Sequence, residues 1–119
     1  MTFDVMTERL PEYVRITVEG EASIKDFVEL VLATEQETAY WSDRRLMVDL
    51  RPIGGQLDAA EQVFLGELVA QNLSHLERVA SVVPAGQITR NSENAARQLG
   101  MQLRVFSSED EAEAWLVTP

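Results

Sequence analysis

Residues 45–83 read RLMVDLRPIGGQLDAAEQVFLGELVAQNLSHLERVASVV, and this stretch decides the fold. Leu46 to Leu50 is a short, mainly apolar run between Arg45 and a turn at Pro52 to Gly55, the pattern of an interior strand covered on both faces. From Asp58 onward, Val63, Phe64, Leu68, Val69, Leu73 and Leu76 supply a broad apolar stripe at helical spacing. Asp58 with Glu61 has the spacing of a capping box. Arg78 to Val83 repeats the buried-strand pattern through Val79, Ala80, Val82 and Val83, and Pro84 with Gly86 ends it. A strand, a helix and a second strand in this order predict a parallel pair joined by a right-handed crossover.

Working outward, Phe3 to Glu8 alternates weakly, and Tyr13, Val14, Ile16 and Val18 form a β-rich run ending at Gly20. With Pro11 between them, the two runs predict a hairpin. Ser23 caps a helix expected from Ser23 to about Tyr40, in which Ile24, Phe27, Val28 and Val31 recur at helical spacing. A third helix carries Ala95, Ala96 and Leu99, with Asn91 or Ser92 as its cap and Gly100 as its stop. Leu103 to Phe106 reads as a last strand, and Ser107 or Ser108 caps a helix bearing Ala112, Trp115 and Leu116. The expected order is β-β-α-β-α-β-α-β-α, an α/β fold with a mixed, mostly parallel sheet flanked by helices. At 119 residues the chain has the size of a single domain spanning 1–119.

Composition narrows the function classes. Twenty acidic against 10 basic residues give a net charge of −10, and Lys25 is the one lysine. Such a surface repels phosphate backbones and anionic lipid headgroups, so the expectation is no nucleic-acid partner. Without cysteine there is no disulfide, no thiolate nucleophile and no cysteine metal site. Met1 to Leu10 lacks the layout of a signal peptide, and no apolar run approaches the roughly 20 residues a bilayer span requires. These features predict a cytoplasmic protein with no stable membrane insertion.

Element order and local residues resemble the STAS domains of anti-sigma-factor antagonists. Arg45-Leu46-Met47-Val48-Asp49-Leu50 is similar to that family's third strand, and Val79-Ala80-Ser81-Val82-Val83 to its fourth. The ending, Arg104-Val105-Phe106 followed by Ala112-Glu113-Ala114-Trp115-Leu116, resembles the SpoIIAA-like branch, also described as STAS/SEC14-like. The resemblance implies regulatory binding without catalysis and, in phosphorylation-switched members, a serine at the start of the helix after the third strand. Here there is no Ser or Thr between Asp43 and Ser74, so that switch is absent from this sequence. Asp58 sets a permanent negative charge near that helix N-terminus and is read as its cap.

Gly54 and Gly55 precede the second helix and can let the backbone approach a ligand, although they lack the lysine and hydroxyl of a phosphate-binding loop. Thr89, Arg90 and Asn91 concentrate polar groups after the fourth strand of this reading. Both loops belong at the carboxyl ends of parallel strands, where ligands gather in open α/β sheets. Gly54, Gly55, Asp58, Thr89, Arg90 and Asn91 are therefore the candidate ligand-binding set, against the alternative of ordinary tight turns and solvated loops. Tyr40 and Trp41 are the candidate partner contacts, while Trp115 is assigned to the core. His75, the single histidine, is read as a surface or helix-end residue rather than a metal ligand or catalytic base.

Three functions compete. The first is a noncatalytic regulatory module that recognises another protein or itself, as a homodimer. The second is a pocket for an apolar small molecule or lipid, lined by the stripes of the first two helices. The third is an enzyme of unknown reaction using Asp49, Asp58 or Arg90. No cofactor or metal is expected.

Overall fold

The computed structural model describes residues 2–119. β1 (Asp4–Arg9) and β2 (Val14–Glu21) form an antiparallel hairpin with Val5 opposite Val18. β3 (Arg45–Asp49) pairs parallel with β2, β5 (Arg78–Val82) with β3, and β6 (Leu103–Phe106) with β5. The expected turn at residues 52–55 also holds a two-residue strand, β4 (Ile53–Gly54), paired parallel with Gly20 and Glu21 at the end of β2. It is too short to register as apolar periodicity. The sheet order is β1-β2-β3-β5-β6, with β4 off that path.

From β2 to β3 to β5 to β6 the chain always steps the same way across the sheet. Right-handed crossovers therefore carry α1 (Ile24–Thr38), α2 (Ala59–Asn72) and α3 (Asn91–Gln98) to one face. There Val14, Ile16, Val18, Leu46, Val79 and Leu103 meet Phe27, Leu30, Leu73 and Ala96. Among the described residues α4 (Glu109–Val117) is the one helix on the opposite face, where Ala112 and Leu116 bury Tyr13, Met47, Ala80 and Val82. Strand alternation explains the division, because successive residues point to opposite faces.

Helix ends follow local chemistry. Ser23, Asp58 and Ser108 each accept a hydrogen bond from the backbone N–H three residues on, and Glu61 returns one from the Asp58 N–H to complete the capping box. α3 departs from expectation: Arg90, not Asn91 or Ser92, is its N-cap residue, in the left-handed region at φ 67° with no side-chain cap. α1 stops at Thr38, so Tyr40 and Trp41 lie beyond it. Leu99 is half exposed, and Met101 takes the buried place beside Ala96.

Candidate functional site

The two helical faces pack differently. α4 lies close to β3, β5 and β6, since Ala112 lets its backbone approach the strands. α2 instead nestles against α1 and α3, and among the described residues it makes no close backbone approach to any strand. Gly66 sets its approach to α3. A Cβ there would sit 2.2 Å from the Ser92 carbonyl oxygen, so only glycine admits this approach between α2 and α3.

Beneath α1 and α2 lies a cavity of about 150 Å³. Its floor includes Val48, Leu50, Val79 and Val105 from the sheet, and its roof Leu30, Val31, Leu65 and Val69 from the two helices. Gly55, Gln56, Gln87, Thr89 and Arg90 line the end where the β4–α2 and β5–α3 loops meet. Gln56 Nε2 donates to the Gln87 carbonyl at 3.3 Å, joining these loops. Gln62 of α2 ties them further: its Oε1 accepts from the Thr89 hydroxyl and, at 2.9 Å, from Asn91 Nδ2. Its Nε2 donates to the Leu57 carbonyl.

Of the residues predicted from sequence, Gly55, Thr89 and Arg90 line the cavity, whereas Gly54, Asp58 and Asn91 do not. Gly54 is packed against the Glu21 carboxylate, Asp58 is occupied with its capping box, and Asn91 serves Gln62. Among the described residues Arg90 is the one charged residue in the lining, and its charge is satisfied. Nη1 donates to Glu93 Oε2 at 2.7 Å and to the Val105 carbonyl at 3.0 Å. Glu93, buried, also accepts from the Val105 N–H at 2.9 Å, locking the start of α3 to β6.

Tyr40 is 92% exposed, whereas Trp41 packs partly into the core and lies under the Arg9 guanidinium. Trp41 thus departs from the exposed contact expected of it, because the hairpin folds over it. Trp115 is half buried, packed at a tilt against Phe106 with Arg78 and Arg104 over its ring. On α2, the face turned from the cavity leaves Val63 40% and Phe64 50% exposed.

The polar clusters elsewhere bind structure together. Arg51 Nε and Nη2 grip Asp49 at 2.9 and 2.8 Å, and an alternating chain continues through Glu109 and Arg15 to Glu8. Burial alone would raise the Asp49 carboxyl, but the Arg51 hydrogen bonds outweigh it and hold Asp49 below the usual carboxylate range. Burial first, and then its hydrogen bond to Glu113, pushes the Tyr13 phenol well above its ordinary value. Asp49 faces α4 whereas Arg90 lines the cavity across the sheet, so Asp49, Asp58 and Arg90 do not converge. His75 lies past the end of α2 with Nε2 2.6 Å from the Thr38 hydroxyl. Thr38 is buried and donates to the Thr34 carbonyl at 2.7 Å, so this hydroxyl ties α1 to the segment after α2 and offers no accessible nucleophile. Among the described residues no three His, Asp or Glu side chains converge to hold a metal ion, and no helix is long and apolar enough to cross a membrane.

Sequence reasoning missed Gly66, Gln62, Glu93 and Ser81. The last carries a readable signal: Val79, Ser81 and Val83 share one face of the strand, and Ser81 interrupts it with a hydroxyl that lines the cavity.

Comparison with known proteins gives a consistent picture. The family model described as SpoIIAA-like matches residues 13–117. An uncharacterised protein with a SpoIIAA-like fold from Shewanella loihica superposes with a TM-score of 0.58 at 18% identity, covering 96% of this chain and 93% of its own. An anti-sigma factor antagonist from Mycobacterium paratuberculosis gives 0.59 at 14% identity, with coverages of 98% and 96%. At such identities the two structures establish a shared fold. No curated protein matches.

Proposed function

The chain belongs to the SpoIIAA-like family, and we propose that it is a noncatalytic regulatory module of the cytoplasm that works by recognising another protein. The observation that carries this reading is the outer face of α2, where Val63 and Phe64 stay 40% and 50% exposed on the helix that follows the central strand. Large apolar side chains displayed together on a helix are typical anchors for a partner. Tyr40 adds a second exposed aromatic at the end of α1. The net charge of −10 favours a partner whose apolar contact is rimmed by basic residues and opposes self-association. The Mycobacterium protein of the same fold is named for antagonising an anti-sigma factor, which is likewise an action on another protein. Recognition here proceeds without a phosphorylatable serine before α2, since that segment has no hydroxyl residue.

Native affinity purification from source cells, comparing wild type with Phe64→Asp, tests this reading. The expected result is a stoichiometric protein partner retained by wild type and lost from the variant, with circular dichroism unchanged. A wild type that is strictly monomeric and retains the same proteins as the variant would overturn it.

The cavity supports a second reading, that the module also holds an apolar small molecule. Its lining is chiefly aliphatic with a few polar groups at one end, the usual make-up of a ligand pocket. At about 150 Å³ it is smaller than the roughly 300–1,000 Å³ of drug-sized sites, so a whole lipid does not fit. Native mass spectrometry of protein taken directly from cells checks this reading: an added small mass supports it, and a bare polypeptide mass counts against a retained ligand.

A further inference from the structure

Resting on the second of these readings, we infer that the cavity selects an uncharged, ring-sized molecule carrying one hydrogen-bonding group, such as a phenol, and that Ser81 is the residue that reads that group. Three observations lead there.

The first is size. An apolar cavity of about 150 Å³ accommodates a molecule such as benzene. A single ring with one or two small substituents fills it, and a long acyl chain does not.

The second is the Ser81 hydroxyl. It lines the cavity from near the end of β5, at a position where the alternation of Val79 and Val83 would place an aliphatic side chain. Its neighbours across both adjoining strands are Val48 and Val105. Among the described residues the hydroxyl has no hydrogen-bond partner. The hydroxyl opens onto the cavity instead of being sealed in the core, so a molecule that enters can bond to it in place of water. A ligand with its own hydroxyl or carbonyl satisfies Ser81 while its ring contacts the valines.

The third is charge. Among the described residues Arg90 is the sole charged residue in the lining, and Glu93 with the Val105 carbonyl already occupies it. A carboxylate or phosphate entering the cavity would lose its hydration without gaining a counter-ion, and the net charge of −10 repels it on approach. Fatty-acid and phospholipid headgroups are thereby selected against.

The test titrates the full chain with p-cresol, toluene and p-toluate, three probes of one shape that are polar and neutral, apolar, and anionic. Methyl NMR follows binding, and shifts at Val48, Leu50 and Val69 identify the site. The expected order places p-cresol about fivefold tighter than toluene, the worth of one neutral hydrogen bond, with p-toluate weaker than both. Ser81→Ala should bring p-cresol to the affinity of toluene and leave toluene unchanged. Equal binding of p-cresol and toluene, tight p-toluate binding, or a cresol preference that survives Ser81→Ala overturns the inference while leaving a pocket in place. Failure of all three probes to shift the cavity methyls overturns the pocket reading and the inference together. The wild-type order decides the matter even where the variant does not fold.

Discussion

Replacing Gly66 with alanine is the most telling perturbation of this fold. In an ordinary helix interior Gly→Ala stabilises by about 0.5–1 kcal/mol, because the unfolded chain loses freedom and helix propensity rises. Here the added Cβ would meet the Ser92 oxygen at 2.2 Å and the Ser92 Cα and carbonyl carbon at 2.9 Å. Ordinary contact begins near 3.4 Å, so α2 and α3 must separate by about 1 Å at their closest point. The obstacle is backbone at the start of α3, where Arg90 and Glu93 anchor the helix to β6, and it cannot swing aside as a side chain would. Overpacking of this kind costs about 1–3 kcal/mol. Set against the propensity gain, the net expectation is a loss of about 1–2 kcal/mol, read in urea unfolding as a lower midpoint with unchanged slope. A variant as stable as wild type, or more stable, would refute the claim that Gly66 fixes α2 against α3.

Two further perturbations probe other parts of the structure. Asp58→Ala removes the capping box of α2 and should cost about 1 kcal/mol in urea unfolding; partner retention should persist, and its loss with stability intact would make Asp58 a contact residue instead. Asp49→Asn should cost about 1–2 kcal/mol at neutral pH through its bonds to Arg51. The folded-state pKa of Asp49 is depressed, so its contribution is complete above the unfolded value of about 4 and disappears as pH falls through the folded one. The difference between wild type and Asp49→Asn should therefore shrink in acid, and a difference constant from pH 7 to pH 2 would exclude the ion pair as its source.

The elements and their order were legible because each is marked by strong local signals. Leu46–Leu50 and Val79–Val83 are apolar runs bounded by breakers, and Ser23, Asp58 and Ser108 announce their helices by capping chemistry. β4 was hidden because two residues have no periodicity and its pairing with Gly20 and Glu21 is set by the tertiary fold. The α3 start differs from the expected one because Arg90, in the left-handed region without a side-chain cap, bonds to Glu93 within the helix and to the distant Val105 carbonyl, which capping statistics do not register.

The candidate site was legible only in outline. Parallel-sheet topology placed the residue 54–55 and 89–91 loops at one end of the sheet, and both border the cavity through Gly55, Thr89 and Arg90. Whether an apolar helical stripe fills a core or lines a cavity depends on how far the helix stands from the sheet, and a stripe reads alike in both cases. Gly66 fixes how closely α2 meets α3 beside the cavity, and its signal in the sequence is one glycine in a helix. Periodicity places Phe64 and Val63 in the inward stripe, yet the helix is apolar on both sides and turns these two to solvent.

Native mass spectrometry on gently purified, untreated protein tests the central claim most directly, since it reports partner proteins, subunit number and retained small molecules in one spectrum. The expected spectrum holds this chain in a stoichiometric complex with a different, basic protein, a complex that Phe64→Asp dissolves. A spectrum holding only the bare monomer, identical for wild type and Phe64→Asp, would contradict it.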